Sequence, residues 1–515
     1  MKRRQFLNYS ALSTIPMMLN GLKLQAMPFN AFAPFVNPDN DRVLVLIQCN
    51  GGYDGLNMVI PTEYYDQLAK VRENILIPKD KIIPIHDKTG FHPAMSPLAN
   101  LMKDGHLNVI QGVGYPDQNR SHFRSTDIWT SASASNEYVS SGWLGRLFDE
   151  NYPGYPENYP NAEFPDPFAI AISSNISATC QGQTTNYSLA INDPFNIVPL
   201  TVSSGGVEVD TYYGHELAFL RESIIQTNQY AAVIEKAAGK GKTTATYPDT
   251  SLGAQLKNIA LLIGGGLKTK VYIANIGGFD THANQSQGAD PTQGEMATLL
   301  SNLSASIAAF QADLQQQGLA ERVVGMTFTE FGRRIWSNFS LGTDHGDCAP
   351  LFIFGQCVLG GLTGVNPVIK NEVPTNEGVA MQHDFRRVYG SILRHWLETP
   401  PETVDSILKG HFVDLPLVAG CAITTAHYEL ISASGIKVYP NPAKEEITMT
   451  FTSTGDKTQV NILDFLGRVI KTKKYESHSA GVQQWSMSLQ GFAAGTYVVR
   501  INQGRHMLSQ KLQIL

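Results

Sequence analysis

Lys270-Val-Tyr-Ile-Ala-Asn-Ile276 and Val323-Val-Gly-Met-Thr-Phe328 bracket the segment that decides the fold. Each is a short, apolar, β-branched run of the kind that forms a strand buried on both faces. Between them Leu299, Leu300, Leu303, Ile307, Phe310 and Leu314 recur at helical spacing and define one apolar face. Thr292-Gln-Gly-Glu295 reads as a capping box at the start of that helix, and Gly318 as its stop. Strand, helix, strand predicts a βαβ unit with parallel strands and a right-handed crossover. The loops that trail parallel strands share one edge of the sheet, where open α/β folds bind ligands. Here they are Gly277-Gly-Phe-Asp-Thr-His282 and Thr329-Glu-Phe-Gly-Arg333, which brings Asp280, His282 and Glu330 to that edge.

Towards the N-terminus, Val43-Leu-Val-Leu-Ile47 is a third strand of the same type, followed by Cys49-Asn-Gly-Gly-Tyr-Asp-Gly55, whose glycines permit a tight turn and leave Asp54 in the trailing loop. Leu107 to Gln111 is a fourth, followed by Asp117-Gln-Asn-Arg-Ser-His-Phe-Arg124. Ser121 and His122 stand there between Arg120 and Arg124. Ser121 reads either as a nucleophile facing an anionic ester or as a cap on a helix beginning near Ser125. Trp129 to Asp149 is predicted helical, and 151–167, rich in Pro, Tyr and Asn, a surface loop. Strand-like pieces at Phe168–Ile172 and Tyr187–Ile191, with an amphipathic helix around Glu216–Lys236, are expected to form an insertion or cap beside the core.

Towards the C-terminus, Asp344-His345 precedes a strand, Leu351–Phe354, instead of following one. Its loop either folds back over the same edge or is a turn with an exposed histidine. His383-Asp-Phe-Arg-Arg387 opens a helix to about Leu397, with Asp384 as a carboxylate favoured at a helix N-terminus.

At 515 residues the chain is too long for one core. With 43% apolar and 16% charged residues and a net charge of −6, it has the composition of a globular protein without a nucleic-acid-binding charge. No apolar run is long enough to cross a bilayer as a helix. Five cysteines without a C-x-x-C spacing argue against a disulfide framework or a cysteine zinc site. Cys49 and Cys357 border apolar runs and read as buried free thiols; one bridge stays open in an oxidising compartment. Past Val418 the composition shifts. Residues 419–435 read as a linker, and short alternating segments from Ile436 to Leu515 predict a small all-β sandwich.

Three groups of residues resemble known families. Met1-Lys-Arg-Arg-Gln-Phe-Leu7, an apolar stretch and Ala31-Phe-Ala33 resemble a twin-arginine export signal, residues 1–33. In residues 436–515, V-Y-P-N-P, I-L-D-F-L-G-R and F-A-A-G-T-Y-V-V-R-I resemble the type A sorting domain of the type IX secretion system. The resemblances imply export machinery of both kinds as partners, with the periplasm in transit and the cell surface or the exterior as destination. The central region, within residues 34–418, resembles the bacterial family called domain of unknown function 1501. The match is carried in order by Gly51-Gly-Tyr-Asp-Gly-Leu-Asn57, Ser121-His-Phe-Arg124, Gly142-Trp-Leu-Gly-Arg146, Gly278-Phe-Asp-Thr-His282, Thr329-Glu-Phe-Gly-Arg333, Gly342-Thr-Asp-His-Gly346 and Asp384-Phe-Arg-Arg-Val388.

That family stands near the alkaline phosphatase and sulfatase superfamily. The resemblance implies a doubly wound, mostly parallel α/β sheet with metals at its C-terminal edge. It implies Ser121 as nucleophile and Asp54, Asp280, His282, Glu330, Asp344 and His345 as ligands of a divalent metal, Zn, Mn or Mg. Arg120, His122, Arg124 and Arg333 would hold the oxygens of a phosphate, sulfate or related ester, on a small molecule or a polysaccharide. The chain departs from the superfamily in carrying Asp280-x-His282 for Asp-x-x-x-His, Glu330-Phe331 for Asp-His, and no Cys-x-Pro-x-Arg. A non-catalytic surface protein that binds polysaccharide or an outer-membrane complex is the alternative. A Ser-His-Asp acyl hydrolase ranks third, for want of a G-x-S-x-G elbow.

Overall fold

In the computed structural model the described residues are 40–157, 159–197, 227–288, 290–418, 437–453, 457–464, 469–475, 481–503 and 506–515, with a short antiparallel pair, Met18–Leu19 and Leu22–Lys23. The rest of the expected signal segment and the expected linker, 419–435, lie outside them. The chain divides into two compact units, Met1–Cys421 and Ala422–Leu515.

The first unit is built on a nine-stranded sheet. Its strands are β1 (Val43–Cys49), β2 (Leu107–Gly114), β3 (Ala169–Ile172), β4 (Ser188–Ile191), β5 (Val271–Ile276) and β6 (Val323–Phe328). A separate hairpin, β7 (Arg333–Ser337) with β8 (Thr343–His345), follows β6. The sheet continues with β9 (Ala349–Phe354), β10 (Gly361–Thr363) and β11 (His383–Asp384). The spatial order is β10-β2-β9-β6-β1-β5-β3-β4, with β11 also beside β2. β1 lies parallel to both β5 and β6. β9 runs antiparallel to both of its neighbours.

Helices cover both faces because β1 is apolar on both. Val43, Val45 and Ile47 pack in the same cluster as Leu98, Leu256, Leu300, Leu303 and Phe310. Leu44 and Leu46 pack on the other side with Ile128, Trp129, Trp143 and Tyr389. On the first face lie α2 (Ser96–Lys103), α5 (Ser251–Gly264) and α6 (Glu295–Gln316). On the second lie α3 (His122–Ser131), α4 (Trp143–Asn151) and α7 (Phe385–Ser391), which continues as a π-helix through Ile392–Trp396. α1 (Tyr65–Arg72) packs against β7. The doubly wound, mostly parallel architecture agrees with the sequence reading.

Several details do not agree. β3 and β4 extend the central sheet instead of forming a cap: β3 pairs parallel with β5, and β4 pairs parallel with β3 at the edge. Of the helix expected around Glu216–Lys236, residues 227–240 are described and helical. The capping box is not made: Gly294 is the N-cap of α6, and the Thr292 hydroxyl donates to Asp290 at 2.6 Å. α3 begins at His122, not Ser125, with Ser121 as an N-cap whose side chain makes no capping bond. Cys49 is a buried free thiol, whereas Cys357 is disulfide-bonded, as an oxidising compartment permits.

The second unit is a small β-sandwich. Lys437–Tyr439, Glu446–Ser453 and Gly481–Ser488 form one antiparallel sheet. Thr458–Asp464, Val469–Tyr475, Gly495–Gln503 and His506–Ile514 form the other. Ile447, Met449, Phe451, Val460, Ile462, Val499 and Ile501 fill its core.

Candidate functional site

The loops after β1, β5 and β6 emerge side by side, because these three strands are parallel neighbours. They are pressed together: a Cβ on Gly51, whose φ is +120°, would meet the backbone nitrogen of Asp280 at 2.2 Å. β2 delivers α3 to the same edge. β9 explains how Asp344-His345 returns there. It is antiparallel, so its first residue, Ala349, stands beside Val113 near the end of β2, and the hairpin before it folds over the site.

Three histidines and an aspartate converge at this edge. The Nε2 atoms of His122 and His345 are 3.1 Å apart, and those of His282 and His345 2.9 Å. Asp280 Oδ1 is 3.2 Å from His345 Nε2 and 3.1 Å from His282 Nε2; its Oδ2 is 3.5 Å from His122 Nε2. His122, Asp280 and His345 each offer a donor atom within 4.8 Å of the other two, a group that could hold a metal ion. Two donors on one ion with bonds of about 2.1 Å lie about 3.0–3.4 Å apart, for angles of about 90° to 109°.

Behind each histidine stands a hydrogen-bond acceptor. His122 Nδ1 meets Glu330 Oε1 at 2.7 Å, His282 Nδ1 meets Asp344 Oδ1 at 3.1 Å, and His345 Nδ1 meets the carbonyl of Arg120 at 2.9 Å. A carbonyl only accepts, so His345 Nδ1 carries the proton and its Nε2 is a lone pair. Carboxylates impose the same tautomer on His122 and His282. Burial, chiefly, holds the His345 pKa below the ordinary histidine value, which favours its neutral ring. In the neutral rings these tautomers turn three Nε2 lone pairs toward the Asp280 carboxylate at hydrogen-bond distances, with Arg333 Nη1 3.4 Å from His282 Nε2. Such a donor set suits a bound cation.

Glu330 and Asp344 thus stand behind the histidines, not among the converging donors. Glu330 is nearly sealed, accepting also from the Gly51 N–H at 2.8 Å and the Thr329 hydroxyl at 3.1 Å. Its own carbonyl accepts from Trp129 Nε1 at 3.0 Å, from Gln118 Nε2 at 3.2 Å and from the Ser125 hydroxyl, which fastens α3 to the end of β6. Partial burial raises the Asp344 pKa, but the His282 hydrogen bond, Asn338 and Arg334 outweigh it and the net shift is downward. Asp280 is also shifted down: burial is outweighed by the hydrogen bond and charge of Arg333, then by His345 and His282.

The remaining expected site residues have other partners. Asp54 is buried, bonded by Arg72 Nη1 at 2.9 and 3.0 Å and by Gln285 Nε2 at 2.6 Å, so its oxygens are not offered to the histidines. Ser121 is exposed and does not line the cavity beside the cluster; His122, next to it, does. Arg120 forms a two-toothed pair with Asp347 at 2.8 and 2.9 Å. Arg124 donates to the carbonyls of Ala134, Ser135 and Glu137, and its guanidinium lies 3.9 Å from the centre of the Tyr138 ring. Arg333 is fully buried and donates to the carbonyls of Gly51, Gly52, Phe279 and Thr343 and to Asp280 Oδ1 at 2.5 Å. It is a strut between three loops, not a free hand for substrate. The sequence reading placed His122 with the substrate; the true start of α3, three residues earlier than expected, is what aims its ring at the cluster.

Residues 41–381 match the family described as Protein of unknown function (DUF1501), and the chain belongs to that family. Residues 437–515 match the Secretion system C-terminal sorting domain, which implies export to the cell surface through that secretion machinery. Among solved structures, a protein in the alkaline phosphatase superfamily from Vibrio parahaemolyticus is similar at 10% identity, over 82% of this chain and 78% of that one, with a TM-score of 0.30. A phosphonate monoester hydrolase of Agrobacterium radiobacter is similar at 10% identity, over 84% and 89%, TM-score 0.30. The PsFucS1 sulfatase from Pseudoalteromonas sp. is similar at 9% identity, over 87% and 84%, TM-score 0.29. No curated protein matches in sequence. No helix among the described residues is long and apolar enough to cross a membrane.

Proposed function

We propose that the first unit is a metal-dependent hydrolase of an ester, carried to the cell surface by its sorting domain. The observation that supports this is the meeting of the His122, His282 and His345 Nε2 atoms with Asp280 at 2.9–3.5 Å. Imidazoles with one carboxylate suit zinc, and manganese or magnesium less well. Glu330, Asp344 and the Arg120 carbonyl hold the three rings in the ligating tautomer. A divalent ion held there supplies Lewis acidity to an oxygen of the substrate or of water. Asp280, half-exposed and steadied by Arg333, would take the proton of an attacking water on the carboxylate oxygen not given to the ion. With Ser121 outside the cavity, water is the nucleophile this reading requires.

The test is metal analysis of the purified full chain, alongside hydrolysis of p-nitrophenyl acetate and p-nitrophenyl phosphate. About one equivalent of metal, lost together with hydrolysis in His122→Ala and His345→Ala, is expected. Protein that retains no metal after dialysis against zinc overturns the proposal. One observation favours a second reading. His282 and Asp280 together with the other two histidines make four protein donors, the closed set of a structural site. Metal retained without hydrolysis of either ester supports that reading, in which the unit binds and does not cleave.

A further inference from the structure

Beside the cluster opens a cavity of about 440 Å³, lined by Asn50, Gly51, His122, Phe123, Thr126, Asp127, Asp280 and Glu330. α3 supplies one wall, since His122, Phe123, Thr126 and Asp127 fall on one helical face. Three features of this cavity stand apart from the metal chemistry. Phe123 is 88% exposed at its wall, an apolar ring with nothing over it. The side chains of Asn50, Thr126 and Asp127 make no hydrogen bond to any described residue, so an amide, a hydroxyl and a carboxylate point into solvent around that ring. No lysine or arginine is among the lining residues, and the nearby guanidinium groups of Arg120, Arg124 and Arg333 are already occupied.

We infer that the cavity takes a neutral, polyhydroxylated sugar ring, and that an anionic sulfate or phosphate is not what it selects. A pyranose presents an apolar C–H face and an edge of hydroxyls. Phe123 matches the first. Asn50, Thr126 and Asp127 match the second, since each can exchange hydrogen bonds with a hydroxyl. Away from the histidine cluster, an anionic group on the ring would meet the Asp127 carboxylate with no free cationic side chain to answer it. The inference rests on the proposed function only in taking the histidine cluster as the reacting end of the cavity. The substrate class becomes an ester borne on a neutral carbohydrate.

Calorimetric titration of the full chain with cellohexaose, mannohexaose and maltohexaose, and separately with dextran sulfate, tests this. At least one neutral hexasaccharide is expected to bind, and dextran sulfate to bind at least tenfold more weakly. Phe123→Ala should weaken the neutral sugar about tenfold, the scale of losing a buried aromatic contact. Phe123→Trp should restore it, and Asp127→Ala should weaken it too. Metal content should be unchanged in all three variants. Absence of binding by all three neutral sugars, or tighter binding of dextran sulfate, overturns the inference. Wild-type protein that holds metal while binding no neutral sugar leaves the metal reading standing. Protein that binds sugar through Phe123 without holding metal leaves this inference standing alone.

Discussion

Gly52-Tyr53-Asp54 and Gly278-Phe279-Asp280 are near copies: glycine, aromatic, aspartate, each trailing one of two paired parallel strands. Their aromatic rings even touch, edge to face at 5.6 Å. Yet Asp54 is 1% exposed and clasped by Arg72, whereas the side chain of Asp280 is 47% exposed and faces three histidines. The motif does not decide which role each carboxylate takes. The decision is made by α1, which lays Arg72 under the first loop and ties its guanidinium to the carbonyls of Arg334 and Ile335 as well. An ion pair sealed on both sides anchors a loop; Asp280, paired with Arg333 but half-exposed, remains available for chemistry.

The contrast can be broken most forcefully at Asp54. Asp54→Ala leaves the Arg72 guanidinium buried without its counter-charge, which costs about 3–5 kcal/mol. The denaturant midpoint of the first unit should fall accordingly, while metal per folded molecule stays as in wild type. If Asp54→Ala abolishes metal binding without loss of stability, the two aspartates are not divided as described.

A somewhat smaller effect is expected from His92, which senses the Asp54 charge. Its Nδ1 accepts from the Ala94 N–H at 3.1 Å, and burial pushes its pKa from 6.5 down to about 4, against a small upward pull from Asp54. The unfolded chain therefore takes up the proton first as pH falls. Stability is fullest above pH 6.5 and is lost as pH drops towards 4, by up to about 3 kcal/mol. His92→Gln should flatten that part of an unfolding curve measured against pH; an unchanged slope would remove His92 from the account.

On the Asp280 side the contrast is sharpened by the acceptors behind the histidines. Glu330→Gln should weaken zinc affinity by about 10–100-fold, the usual cost of losing a buried acceptor behind a ligating histidine. Asp344→Asn should cost less, because Asp344 is half-exposed and water can replace it. Competition with a zinc-binding dye gives both numbers, and a larger loss in Asp344→Asn than in Glu330→Gln would reverse the assignment.

The sheet was legible because its strands are continuous apolar runs, and the site edge was legible because three such runs end in glycine-rich loops with acidic residues. What escaped was set by residues distant in sequence. Ser121 and His122 are neighbours, and only the point at which α3 starts, fixed by Glu330's carbonyl receiving Trp129 and Ser125, selects the histidine. Asp344-His345 reached the site because β9 runs against its neighbours, a direction that no feature of Leu351–Phe354 announces. The three arginines looked like anion hooks; their carbonyl and carboxylate partners lie on other loops. Ala169–Ile172 and Ser188–Ile191 were too short to distinguish an added sheet strand from a cap.

The sheet order also sets a timetable. Leu44, near the start of the first unit, sits between Val271 on one side and Val324 on the other. The middle of the sheet therefore cannot close until most of that unit has been synthesised, and such long-range pairing is slow to form. The histidines stand at the mouth of that last closure, so they do not meet until folding is nearly finished. On the proposed reading, metal loading would then be a final maturation step, and the compartment in which folding ends would decide which ion the protein encounters.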